Sequence, residues 1–148
     1  MMLLKLVVTE DPQVIEPEII IKCSKTDAGL QQLINYIKQY TFIFQAKTEQ
    51  GLCFVPAQDV YYIDSVDSKT FLYSKDKIYS CSETLYELEN KLSDSSFIRI
   101  SKNCILNTGY LESVSPLWNH RLEAVLVNGE KLVVTRHYID TLKEKISE

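Results

Sequence analysis

The sequence predicts a mostly β (α+β) fold, built from antiparallel strands with a few short helices. Short runs rich in tyrosine, valine, isoleucine and phenylalanine follow one another along the chain, and turn-forming residues separate them. Long helical segments do not alternate with these runs, so a doubly wound parallel sheet is not expected. The 148 residues, 45% of them hydrophobic and only four of them glycine, suit about one globular domain.

Residues 1–45 predict a small β-β-α extension ahead of the main domain. Two apolar runs, Leu3–Val8 and Glu18–Cys23, predict strands on either side of an acidic segment that contains two prolines. A helix is predicted from about Asp27, an N-cap residue, to Tyr40, because leucine and isoleucine recur there at intervals of three and four. A unit of this size is too small to fold alone, so we expect it to form dimer contacts or to brace the main domain.

Residues 46–148 predict the main domain, and its strand series begins just before that boundary. Short helices are predicted at about Ser82–Lys91 and His137–Ile146 from their apolar spacing. The pair Asn128-Gly129 between two β-rich runs predicts a two-residue hairpin turn in which both residues have positive φ. The predicted strands are Phe42–Lys47, Leu52–Val55, Val60–Val66, Phe71–Ser74, Ile78–Cys81, Ile98–Ile100, Leu111–Val114, Arg121–Val127 and Lys131–Thr135.

Charge and cysteine usage limit the class of protein. The net charge of −4 excludes a globally basic nucleic-acid binder, although all three arginines fall in the last third of the chain, where a small basic surface can form. Lys5 interrupts the first apolar run, which makes a poor signal peptide, and no apolar run could span a bilayer, so we expect a cytoplasmic protein. The four cysteines lack CxxC spacing and are expected to be buried thiols without disulfides or zinc.

The sequence contains little that predicts catalysis. Phosphate-binding glycine loops, HExxH and GxSxG are absent, and the chain has two histidines. A pair of Cys104 with His120 or His137 remains open from the sequence, but no third group is evident to orient it. We therefore expect a protein that is not an enzyme and that uses no cofactor or metal.

One segment, residues 97–107, carries a compact polar tip between apolar anchors. The tip is Ser101-Lys102-Asn103. Lysine can contact phosphate or guanine acceptors, and asparagine matches the edge groups of adenine. The alternative is an ordinary polar connection between a strand and a turn.

Five stretches in order resemble motifs of the LytTR DNA-binding domain of bacterial transcription regulators. Ser101 stands where many members have His, Asn103 where many have Ser, and Thr135 where Ser is usual, so the DNA sequence bound here need not be the commonest of the family. The stretches are Val60–Ser65, Leu85–Leu92, Phe97–Asn103 followed by Asn107, Leu126–Glu130 and Thr135–Tyr138, and their order holds over roughly residues 48–147.

The resemblance implies an elongated antiparallel β domain that contacts duplex DNA with loops and not with a recognition helix. Arg136 is the expected base contact, since guanidinium matches guanine O6 and N7. Arg99 lies within a strand, where pairing with an acidic neighbour competes with a DNA contact. The expected DNA-binding residues are Arg136, Lys102, Asn103 and Ser101, with Lys69 and Arg121 toward phosphate.

The function implied is a sequence-specific, DNA-binding transcriptional regulator in the bacterial cytoplasm, acting as a homodimer on promoter repeats. Residues 1–45 cannot encode the receiver domain of a full response regulator, so the resemblance is to stand-alone members. For those members a small inhibitory membrane protein is the family expectation. The alternative is a protein-interaction or ligand-sensing β module without DNA binding, which the net charge of −4 favours.

Overall fold

The computed structural model describes residues 4–40 and 42–147, and within them ten strands and three α-helices. The mostly β prediction is confirmed. The helices are α1 (Ala28–Tyr40), α2 (Leu85–Lys91) and α3 (Ile139–Ile146). The strands are β1 (Ile43–Thr48), β2 (Gly51–Pro56), β3 (Val60–Val66), β4 (Lys69–Ser74), β5 (Ile78–Cys81), β6 (Phe97–Ser101), β7 (Cys104–Asn107), β8 (Leu111–Leu117), β9 (Arg121–Leu126) and β10 (Lys131–Val134).

The strands form two antiparallel sheets. The larger has seven strands in the order β2-β1-β5-β4-β3-β7-β6, and the smaller has three in the order β10-β9-β8. The two sheets meet at β6, where the backbone N–H of Thr135 donates to the carbonyl of Ile100 at 2.9 Å. The segment after β10 therefore covers the β6 edge of the larger sheet.

One core lies between the β1–β2 hairpin, the centre of the larger sheet and α2. Phe44 is fully buried, and its ring contacts that of Phe97 edge-on at 5.9 Å. Thr84 caps α2 by accepting the backbone N–H of Glu87 at 3.1 Å, which sets the helix so that Leu88 faces this core.

A second core lies between the two sheets and α3. Residues of β9 alternate inward and outward, so Leu122 and Leu126 are buried with Leu142 of α3. Tyrosines fill part of this layer, and the rings of Tyr61 and Tyr110 stack at 3.9 Å. This core fixes the smaller sheet and α3 against the larger sheet.

The two strands predicted in the N-terminal extension are wrong for the described residues. Residues 4–26 form no strand or helix and are exposed, with Ile15 at 96%; Leu3 lies outside the described residues. A β-prone run becomes a strand only where another strand satisfies its backbone groups, and no strand among the described residues pairs with these runs. The helix is confirmed, and Asp27 Oδ1 accepts the N–H of Leu30 at 2.8 Å as its cap.

The turn predicted at Asn128-Gly129 joins β9 and β10 but has three residues. The N–H of Leu126 donates to the carbonyl of Glu130 at 2.8 Å, and the N–H of Gly129 donates to the carbonyl of Leu126 at 2.9 Å. Only the glycine has positive φ, at 90°, so a three-residue loop with a left-handed last residue replaces the predicted pair.

The cysteine prediction holds for Cys81 and Cys104, which are buried, but is wrong for Cys23, which is exposed in the irregular segment, and for the half-buried Cys53. None of the helices in the described part of the chain is long and apolar enough to cross a membrane.

Candidate nucleic-acid interface

The β3–β4 turn and the β6–β7 turn lie side by side. Strands β3 and β7 are neighbours, with Asp64 opposite Cys104, and the N–H of Ser65 donates to the carbonyl of Asn103 at 2.8 Å. The β3–β4 turn consists of Asp67 and Ser68, both with positive φ, and Lys69 follows as the first residue of β4. Two cationic tips, at Lys69 and Lys102, therefore occupy one end of the larger sheet.

Arg136 joins this end because of the contact between the sheets. The hydrogen bond from Thr135 to Ile100 joins the two residues that immediately precede Arg136 and Ser101. Arg136 begins a short 3₁₀ turn that leads into α3, and its side chain is exposed. An exposed cation thus follows directly after the hydrogen bond that joins the two sheets.

Arg121 reaches the same end through the smaller sheet. Leu122 pairs with Val134, so Arg121 lies at the level of Thr135, just before Arg136. Its Nε donates to the carbonyl of Trp118 at 3.2 Å. The six residues predicted to contact DNA thus lie on turns and strand ends that these backbone pairings connect, and five are exposed while Ser101 is half-buried. We call this region, made of residues 67–69, 101–103, 118–121 and 135–136, the loop surface.

Arg99 supports the loop surface from within. Its Nε donates to the carbonyl of Ser101 at 2.8 Å, and its Nη2 donates to the carbonyl of Lys102. Nη1 donates to Glu89 Oε1 at 3.3 Å, so the pairing with an acidic neighbour considered from the sequence is present. The side chain is 16% exposed. Its donors are used to hold the turn, which identifies Arg99 as a positioning residue.

Asn107 is buried at the other end of β7. Its Nδ2 donates to the carbonyl of Val60 at 2.9 Å, while its Oδ1 accepts the N–H of Gly109 at 3.0 Å and the hydroxyl of Ser96 at 2.6 Å. It therefore ties the start of β3 to the end of β7, which sets the register on which the two turns depend. Asn107, the asparagine that follows the matched stretch Phe97–Asn103, therefore has a structural role.

Burial raises the pKa values of two ionisable groups on β3 and β7 near the tips, Cys104 and Asp64. Burial, and then the nearby Asp64 carboxylate, raise the pKa of the Cys104 thiol to about 12, so it is protonated at neutral pH. This argues against Cys104 as a nucleophile paired with either histidine. Burial also raises the pKa of Asp64. In the described ranges, no group of three or more His, Cys, Asp or Glu side chains could hold a metal ion.

Trp118, in the turn between β8 and β9, is not among the residues predicted to contact DNA. Trp118 is 85% exposed there, and Asn119 and His120 have positive φ. The sequence contains a signal for it, because the single tryptophan of the chain stands between two strand-like runs, three residues before an arginine. This turn adds an aromatic ring to the loop surface.

The fold and the loop surface define a class of β domain that presents polar and cationic loops on one end. Comparison with known proteins specifies the class further. The model of the family described as LytTr DNA-binding domain matches residues 50–147. The chain therefore belongs to the LytTr DNA-binding domain family.

Individual relatives agree with this assignment. The sensory transduction protein LytT of Bacillus subtilis is 30% identical over 95 residues, which cover 64% of this chain and 39% of that protein. The transcriptional regulatory protein LytR of Staphylococcus aureus is 28% identical over 89 residues, which cover 60% of this chain and 36% of that protein. The chain thus spans about two-fifths of the length of these curated relatives.

A solved structure supports the fold. The LytTr DNA-binding domain of a Bacillus cereus response regulator superposes with a TM-score of 0.67 at 24% identity. The match covers 72% of this chain and 97% of that domain.

Proposed function

We propose that this protein regulates transcription by binding a specific duplex DNA sequence through the loop surface. One observation supports this above the others: exposed cationic and amide side chains from separate turns meet at one end of a member of the LytTr DNA-binding domain family. The turns are held in place by strand pairing and by Arg99, so little order has to be gained on binding.

The side chains of the loop surface divide by chemistry into base and phosphate contacts. Arg136 can make two parallel hydrogen bonds to guanine O6 and N7. Lys102 and Asn103 are proposed to contact base edges or phosphate, and the Ser101 hydroxyl accepts the backbone N–H of Asn103 at 3.3 Å. Lys69 and Arg121 lie on the flanking turns and are proposed to contact phosphate.

Salt dependence follows from the charges of the loop surface. Four cations, Lys69, Lys102, Arg121 and Arg136, are exposed there on a chain of net charge −4. Long-range attraction to DNA is therefore weak, and short-range contacts must supply most of the affinity. Neutralisation of about three to four phosphates per subunit gives a log–log salt slope of roughly −3 to −4, at about −0.9 for each phosphate.

The testing experiment uses a labelled duplex selected by the protein itself from a random pool. Arg136→Ala should weaken binding by about 1–3 kcal/mol and relax discrimination at one base pair. Lys102→Ala, if it contacts phosphate, should weaken all duplexes similarly and reduce the slope by about 0.9. Lys75→Ala, on the β4–β5 turn, is the matched control for loss of an exposed lysine.

Trp118 gives an independent readout, because it is the single tryptophan and belongs to the loop surface. Its fluorescence should change when the selected duplex is added and not when a scrambled duplex is added at moderate salt. Wild-type affinity in both loop variants, together with unchanged fluorescence, would refute the proposal.

The setting of this activity is part of the same proposal. We propose a cytoplasmic homodimer in which each subunit binds one promoter repeat, without a catalytic role, and a small membrane protein as its inhibitor. The alternative function, a protein-interaction or ligand-sensing module without DNA binding, is supported by the net charge of −4. That rival predicts equal, feeble binding to selected and scrambled duplexes at every salt concentration.

A further inference from the structure

The β1–β2 hairpin has an apolar outer face. Phe44, Ala46 and Val55 point into the core, so the alternate residues point outward. Leu52 and Phe54 on that outer face are each 63% exposed. Within the described residues β2 pairs only with β1, so its other edge carries unpaired backbone groups. An open strand edge and an exposed apolar face thus coincide.

A groove borders this face. A cavity of about 440 Å³ lies beside Phe54 and is lined also by Tyr61 and Tyr110 and by the β4–β5 turn. Ile78, which follows that turn, is exposed as well. The groove therefore adds aromatic rings, and charged side chains of the β4–β5 turn, beside the apolar outer face.

The chain contains a second uncovered apolar surface, the irregular segment of residues 4–26. Its large aliphatic side chains are exposed although β-branched residues favour strands. They are Leu4, Leu6, Val7, Val8, Val14, Ile15, Ile19, Ile20 and Ile21. Monomeric proteins seldom leave this much apolar chain without a partner.

We propose that residues 4–26 of one copy dock on the β2 edge and outer hairpin face of a second copy, in a reciprocal two-fold exchange. Each chain supplies one segment and one edge, so the exchange covers both surfaces in equal number. Added strands bind through main-chain hydrogen bonds, with alternate side chains entering the neighbouring groove.

Charge is consistent with this occupant. The docking segment has four carboxylates between Leu6 and Ile21 and three lysines toward its ends, so its net charge is −1; these residues are Glu10, Asp11, Glu16, Glu18, Lys5, Lys22 and Lys25. Lys47 is the charged residue among the outward positions of the hairpin, which pair Lys47 with Leu52 and Gln45 with Phe54. Lys75 and Lys77 line the groove, against Asp59 and Asp76. An acidic apolar segment therefore suits this face better than a basic one.

Sedimentation of the full chain over a range of concentrations tests the interface. The double variant Leu52→Ser, Phe54→Ser should raise the dimer dissociation constant roughly ten- to hundredfold, because each large side chain contributes through burial. Tyr86→Ser, which removes an exposed aromatic ring from α2, is the control and should leave the constant unchanged. A dimer of wild-type affinity in the double variant would overturn the proposal.

Cross-linking tests which copy supplies the segment. One chain carries Ile20→Cys and a differently tagged chain carries Phe54→Cys, both in a background of Cys23→Ser and Cys53→Ser that leaves the two buried cysteines. Oxidation of the mixture should give a disulfide-linked heterodimer. If a single chain carrying both cysteines forms only an internal disulfide, the segment docks on its own copy and the exchange is wrong. The absence of any cross-link contradicts docking altogether.

The outcome is separable from DNA binding. A short duplex with one site measures the affinity of a single subunit, and the hairpin variants should bind it as wild type does. Loss of the dimer with retained single-site binding would support both proposals. A stable exchanged dimer that binds no duplex would support only this one.

Discussion

Replacing Arg99 separates its role as a brace from a role as a DNA contact. Arg99→Lys keeps the positive charge but cannot donate to Ser101 and Lys102 carbonyls and to Glu89 at once, whereas Arg99→Met removes both charge and donors. If Arg99 acts by holding the β6–β7 turn in place, both variants should lose stability and DNA affinity in the same way. If it is a phosphate contact, lysine substitutes for it.

The magnitude follows from the three hydrogen bonds. A charged hydrogen bond contributes about 1.5–3 kcal/mol when buried, but the carbonyls at an exposed turn regain water after its loss. The pair with the half-exposed Glu89 contributes less than about 1 kcal/mol. Loss of two bonds in Arg99→Lys should therefore lower the free energy of unfolding by about 1–2 kcal/mol. Reordering the loosened turn on binding costs about 1–2 kcal/mol, a five- to thirtyfold loss of affinity for the selected duplex.

Urea denaturation and fluorescence anisotropy measure the two effects, with anisotropy repeated at several salt concentrations. A brace predicts the same salt slope for wild type and both variants, because no phosphate contact is lost. Arg121→Lys, which retains a simple cation, is the control and should change affinity little. Wild-type stability and affinity in Arg99→Lys, with a slope reduced by about 0.9 in Arg99→Met alone, would refute the reasoning.

Three further outcomes are expected. Asn107→Ala should lower the free energy of unfolding by about 2–4 kcal/mol in urea denaturation, because it leaves the buried Val60 carbonyl without its side-chain donor, while Asn90→Ala on exposed α2 should change it by less than about 0.5. Burial raises the pKa of Asp64 in the folded state above its ordinary value of 3.8, because the folded protein favours the protonated carboxyl. The stability that this group contributes is therefore fully present below about pH 3.8 and is lost as the pH rises through the raised pKa. Asp64→Asn should thus unfold at a higher temperature than wild type at pH 7, and a difference that persists below pH 3 would contradict this cause. In native protein a thiol reagent at pH 8 should modify exposed Cys23 quickly and Cys104 only on unfolding; equal rates would show that burial does not protect Cys104.

Local features of the fold were predictable because the sequence encodes them within a few residues. The β-rich run Val60–Val66, the alternation along Arg121–Leu126 and the helical spacing after Asp27 can each be recognised from the neighbouring residues alone. The incorrect predictions also have physical causes. The strands predicted before residue 24 require a partner edge, and the number of residues in the Asn128-Gly129 turn depends on strand register.

The convergence of the loop surface was not predictable from spacing alone. It depends on the pairing of β3 with β7 and on the hydrogen bond from Thr135 to Ile100, which join residues tens of positions apart. The family resemblance supplied the residues, and the structure supplied their common location. Trp118 belonged to none of the matched motifs and was therefore missed.

The turns that carry the loop surface use non-glycine residues in the left-handed region. Asp67 and Ser68, like Asn119 and His120, have φ between 52° and 64°, where an L-residue with a Cβ is about 1–2 kcal/mol less favourable than in its usual conformations. Glycine would fit each backbone better but would offer no side chain. Because strand pairing fixes the register on both sides, these positions can change identity without moving the strands. On the binding mode proposed above, the domain can therefore acquire a different DNA preference by variation at its turn tips while its two cores stay the same.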